Sequence, residues 1–111
     1  MAYDPELATR LQRLLSRRDG MSQKAMFGGI GWFLHGHMCV GIWKEALIAR
    51  VGTEEYPAAL REPGVLEFDI TGRAMSGWVL VQSEVIEADG DLKGWIERCV
   101  QFVRTLPRKT K

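Results

Sequence analysis

Apolar residues recur at helical spacing at the start of the chain. Leu7, Leu11, Leu14 and Leu15 fall on one face of a helix, with Arg10, Arg13 and Arg17 largely off it. Asp4-Pro5-Glu6 opens that helix: Asp4 can cap, Pro5 suits the first helical position, and Glu6 complements the dipole. Arg18-Asp19-Gly20 ends it. The pattern then changes, and residues 24–51 read as β-structure. Met26-Phe27 leads through Gly28-Gly29 into a strand over Ile30 to Leu34. His35-Gly36-His37 is a hairpin turn, and Met38 to Trp43 is the returning arm. Lys44-Glu45 makes the next turn, before a strand over Ala46 to Val51. Connections this short exclude crossover helices, so the three strands form an antiparallel meander.

A short helix follows, running to about Arg61. Gly52-Thr53-Glu54-Glu55 opens it with Thr53 as a cap; Pro57 would then be the fourth helical residue, and the alternative is a start near Tyr56. Glu62-Pro63-Gly64 breaks it. Val65 to Ile70 alternates as a fourth strand, Thr71 to Gly77 is a loop, and Trp78 to Gln82 is a fifth strand. Leu92, Trp95, Ile96, Cys99, Val103 and Leu106 then keep helical spacing until Pro107. The order α-β-β-β-α-β-β-α predicts an α+β fold: a two-layer sandwich with a five-stranded antiparallel sheet, in one domain over residues 1–111. Residues 1–3 and 108–111 are expected to fray.

Helices cover one face of such a sheet, so the other should read polar. It does not. Strict alternation puts Met38, Val40 and Ile42 on one side of their strand and Cys39, Gly41 and Trp43 on the other. Phe33 opposes Trp32 and Leu34; Trp78 and Leu80 oppose Val79 and Val81. Strands apolar on both sides want cover on both, and a second copy of the chain, giving a dimer, would supply it; the alternatives are that long loops cover the face or that it exposes some apolar area.

Charge adds little direction. Fifteen basic and fourteen acidic residues leave a net charge of +1, spread evenly over both halves of the 111 residues, so charge balance alone makes neither half a polyanion binder. No apolar run is long enough to span a membrane. The N-terminal residues lack the basic and apolar regions of an export signal, which predicts a cytoplasmic protein. Cys39 and Cys99, sixty positions apart, read as reduced, buried side chains rather than a disulfide scaffold.

Several groupings could carry chemistry, and each has a plainer reading. His35 and His37 would share a side of an extended hairpin, but a zinc site needs further ligands and none is identifiable by spacing. Gly28-Gly29-Ile30-Gly31 matches neither phosphate-loop pattern. Glu67 and Asp69 share one side of a strand, as paired acids or a solvated face. Arg73, in its glycine-flanked loop, is the most plausible exposed contact for an anion or a partner. Arg10, Arg13, Arg17 and Arg18, with Arg104, Arg108, Lys109 and Lys111, are local basic clusters that solvated faces explain as well. No catalytic motif occurs, and no catalytic, cofactor or metal residue is assigned.

The segment Lys24-Ala25-Met26-Phe27-Gly28-Gly29 resembles the "K-x-MFGG" signature of the TfoX/Sxy family's N-terminal domain. Arg50-Val51-Gly52 followed by Tyr56-Pro57-Ala58-Ala59-Leu60 is similar too. Thr71-Gly72-Arg73-Ala74-Met75-Ser76-Gly77-Trp78 resembles its "TGRxMxGW" block. The blocks in this order are specific and cover residues 3–107. The resemblance implies an α/β fold with an antiparallel sheet and no established catalytic residues. Full-length members regulate natural competence with the cyclic-AMP receptor protein and carry a second, helical domain. This chain stops at Lys111, so a stand-alone N-terminal domain is expected. Met26, Phe27, Gly28, Gly29, Gly72, Arg73, Gly77 and Trp78 carry over as fold or interaction positions.

The expectation is a non-enzymatic domain acting by protein–protein contact in transcriptional or competence-type regulation, without cofactor or membrane. The alternatives are a nucleic-acid-binding module using the arginine-rich first helix and basic tail, and a small ligand-binding or enzymatic domain using Cys39, His35 or His37.

Overall fold

The computed structural model describes residues 3–26, 29–69 and 75–107. The chain opens with α1, Pro5–Leu15. Asp4 accepts a hydrogen bond from the Glu6 amide (3.0 Å) as its cap, and Leu7, Leu11 and Leu15 are its buried stripe. Four strands follow: β1 (Met21–Met26), β2 (Gly29–Leu34), β3 (His37–Trp43) and β4 (Ala46–Arg50). The β2–β3 connection is a two-residue turn in which His35 and Gly36 both take positive φ, 51° and 88°. Such turns match the twist of the strands they join. Then come α2 (Tyr56–Leu60), β5 (Val65–Glu67), β6 (Trp78–Val81), a 3₁₀ turn over Ser83–Ile86, and α3 (Asp89–Arg104).

The expected α+β class and antiparallel sheet hold, with three helices and one open sheet of order β1-β2-β3-β4-β6-β5 among the described residues. Every neighbouring pair is antiparallel. The sheet has six strands rather than the expected five. The added strand, β1, pairs along its whole length with β2, from Met21 opposite Leu34 to Met26 opposite Gly29. Ser22, Gln23, Lys24 and Ala25 are exposed, so this edge strand carries no apolar alternation to announce it. The strand expected over Val65 to Ile70 is shorter. The strand from Val65 ends at Glu67, with Phe68 and Asp69 beyond it, and Ile70 lies outside the described residues.

The helices cover one face. There Leu11 and Leu15 of α1 and Leu92, Ile96 and Val100 of α3 pack on Trp32, Val40, Ile42, Leu47, Val79 and Val81. The opposite face has its own, smaller cluster: buried Met38, Ile48, Phe68 and Leu80, with Phe33, Trp43, Ala46 and Trp78 partly buried around them. The expected division of β3 is corrected here. The register shifts between Trp32 and Phe33, where Val40 and Met38 are their respective partners. That bulge leaves Cys39 as an extra residue, so it joins Val40 and Ile42 in the helix-side core while Met38 turns to the other face.

Candidate functional site

The face away from the helices is built from alternate strand positions: Ser22 and Lys24 of β1, Phe33 of β2, Met38 and Trp43 of β3, Ala46, Ile48 and Arg50 of β4, Leu66 of β5, and Trp78 and Leu80 of β6. Phe68, just past β5, folds over it with its ring 6.2 Å from that of Trp78. Leu66 and Met75 are the large apolar side chains left exposed among the described residues, at 50% and 36%. Each cation here sits over a ring. Lys24 Nζ is 5.5 Å from the Phe33 centroid, Lys44 Nζ is 4.6 Å from Trp43, and the Arg50 guanidinium is 4.9 Å from Trp78. Arg50 also stacks on Phe102 of α3 at 5.6 Å and donates to the Met38 carbonyl at 3.4 Å. Burial lowers its pKa.

On the helix side four arginines have carboxylate partners, and one of them, Arg98, also stacks on Trp95 at 4.0 Å. Arg10 and Arg13 both bond Asp89, at 3.0 and 3.2 Å. Arg18 pairs with Glu97, and Arg98 grips Glu62 with two bonds of 3.2 and 2.9 Å. Three of the four arginines of the α1 cluster are thus held by carboxylates of α3, which leaves less of that surface to meet nucleic acid. Residues 108–111, the rest of the basic tail, lie outside the described residues.

The residues singled out in sequence separate into two places. Met26 ends β1 opposite Gly29, at the end of the sheet near the β3–β4 turn. Gly77 and Trp78 lie at the other end, where Trp78 pairs with Arg50. The Gly77 carbonyl accepts the amides of Val51 (2.9 Å) and Gly52 (3.1 Å). Gly77 takes φ of 92°, and a Cβ there would meet the Gly52 and Thr53 backbone at 3.3 Å, so only glycine fits. The Arg50-Val51-Gly52 and Gly77-Trp78 blocks are therefore one contact, and Met26–Gly29 is another. Phe27, Gly28, Gly72 and Arg73 lie outside the described residues.

The remaining candidates find other surroundings. Cys39 and Cys99 are both free and buried. Burial pushes the Cys39 thiol up to about 12, against the partial pull of Arg18 and Arg50. Burial, and then Cys39, raise Cys99 as well. Such thiols are poor nucleophiles at neutral pH. His35 and His37 do not alternate on an extended strand, because His35 is in the turn. They line one recess with Arg18, Leu34, Val103 and Arg104, but His37 meets the Pro107 carbonyl and His35 packs on Gly20. Glu67 and Asp69 both lie near Tyr56, whose pKa is raised by desolvation first and then by these carboxylates. Among the described residues no group of three or more His, Cys, Asp and Glu could hold a metal ion.

The aromatic half of this face is visible in sequence as strands apolar on both sides. Lys24 and Arg50 are not, because pairing each with its ring, Phe33 or Trp78, needs the strand register.

The family model described as the TfoX N-terminal domain matches residues 13–103. No curated protein and no solved structure matches the chain.

Proposed function

The chain belongs to the TfoX N-terminal domain family, and from that premise we propose a non-enzymatic domain that acts by protein–protein contact in transcriptional, competence-type regulation, as a homodimer in the cytoplasm. The observation that carries this reading is the edge strand β1. Six residues long, it is the longer of the sheet's two outer strands, and Ser22–Ala25 are exposed. It holds no proline, and its one charge, Lys24, is drawn over the Phe33 ring, so little keeps this edge from pairing. Pairing β1 with β1 of a second copy continues one sheet across two chains. The raised thiol pKa values of Cys39 and Cys99 support a non-enzymatic role, and their free state suits a reducing compartment. None of the described helices is long and apolar enough to cross a membrane.

Light scattering on a sizing column tests this. The expected mass is twice that of the chain, falling to one chain for Gln23→Pro, which removes a ladder donor from the edge. Ser22→Lys, which crowds the edge with charge while leaving every backbone donor, should weaken the dimer too. A wild-type chain that stays monomeric across concentrations refutes edge pairing. So does a dimer that survives both substitutions.

A further inference from the structure

We propose that the sheet face away from the helices is a platform for single-stranded nucleic acid. The inference uses a different surface from the β1 edge and stands without it. Its basis is the way the two sides of the sheet balance charge. Arg10, Arg13, Arg18 and Arg98, on the helix side, each meet a carboxylate. Lys24, Lys44 and Arg50 each meet an aromatic ring, and none has an ion pair among the described residues. A ring holds a cation without neutralising it. The result is positive charge interleaved with π surfaces, and no acidic residue occupies the described strand positions of that face.

The arrangement has a direction. Ser22, Phe33 and Met38 stand side by side across β1, β2 and β3, and Arg50 stands beside Trp78 across β4 and β6. Arg50 links the halves through the Met38 carbonyl. The row places Phe33 and Trp78 three strand spacings apart, roughly 14 Å, with Arg50 between them and Lys24 over Phe33. At the other end, Glu45 and Glu84 line the groove shared by Trp43 and Lys44. An anionic chain is therefore favoured over the Phe33–Arg50–Trp78 end.

That chemistry selects among partners. A base stacks on the ring, and the displaced amine turns to a phosphate. In a duplex the base faces are already stacked, so a flat platform cannot reach them. An acidic peptide would satisfy the cations and leave the rings unused. A second copy laid face to face would set these cations against their own counterparts.

The test is fluorescence anisotropy with labelled oligo(dT) and oligo(U) about 12 nucleotides long, with the matching duplexes and oligoglutamate as competitors. Tryptophan fluorescence is followed in parallel. Both single strands should bind and quench tryptophan, and the duplexes should bind more weakly. Binding of one and not the other identifies DNA or RNA as the partner. With Lys24 and Arg50 engaged, the logarithmic salt slope should be about −1.4, and Lys24→Gln should flatten it by about 0.7. Phe33→Leu, which keeps an apolar side chain in the cluster, should weaken binding about tenfold. Arg13→Gln, on the helix side, should change nothing. The proposal is overturned if neither strand binds at low salt, if duplex binds as tightly, if oligoglutamate is preferred, or if Phe33→Leu with an unchanged melting temperature binds like wild type.

Discussion

Cys39 shows what one residue's placement does to the behaviour of the whole chain. The bulge turns it into the helix-side core, and burial lifts its thiol pKa from an ordinary 9.0 to about 12. The folded chain therefore keeps this proton where the unfolded chain gives it up. Below pH 9 both states are protonated and the residue has no pH effect. Above it, stability falls as pH rises, by about 1.4 kcal/mol one unit past the unfolded pKa. Cys99 acts in the same direction. Urea unfolding at about pH 8 and about pH 10 should show a larger loss for wild type than for Cys39→Ala. An equal loss in both would remove Cys39 from the account. Alternation alone assigns Cys39 to the wrong face, because a bulge depends on how two strands pair and leaves no mark in either one.

At the scale of elements, α1 and α3 are joined by one well-placed arginine. Arg10 donates to Asp89 through Nε (3.1 Å) and Nη2 (3.0 Å), and Nη2 also reaches the carbonyls of Ile86 (2.7 Å) and Glu87 (3.2 Å). Its side chain is only 20% exposed. Arg10→Ala would strand those carbonyls at the start of α3 and should cost about 1–2 kcal/mol, or roughly 5–10 °C in Tm. Arg13→Ala removes a 60% exposed partner of the same Asp89 and should change Tm little. Equal shifts in the two variants would show that the carbonyl bonds contribute nothing. The helices themselves were legible. Asp4-Pro5 marks the start of α1, and the apolar spacing from Leu92 to Val103 marks α3. The start of α2 was open between Thr53 and Tyr56, and the helix takes the Tyr56 start, which puts Pro57 in its first turn. β1 was not legible, because Ser22, Gln23 and Lys24 are polar and exposed and become a strand only by pairing with β2. The 3₁₀ turn of Ser83–Ile86 escaped for a related reason: four residues are too few to show a period.

For the whole molecule, the doubly apolar strands foretold a second cluster on the far face, and Phe33, Trp43, Trp78 and Leu80 are there. What covers part of it was out of reach. Phe68 reads as one more alternating position of a strand, yet it lies past β5 and folds over the face at 2% exposure. The candidate surface was similarly half visible, since Lys24 and Phe33 come together only through strand pairing. The helix layer is tied down in a way that spans the fold. Before α1, the Asp4 amide bonds the Lys44 carbonyl (2.8 Å) in the β3–β4 turn. After it, the Gly20 carbonyl accepts the His35 amide (2.9 Å) in the β2–β3 turn. Lys44 and His35 are also the two non-glycine residues with positive φ among those described. So α1 is latched by backbone at both ends of β3, each time to a turn residue held in an uncommon conformation. A helix fastened this way has no free end from which to peel. Its amides and those of β3 should exchange with deuterium in one step, at the rate of global opening. Exchange of α1 ahead of β3 would show instead that the latches open on their own.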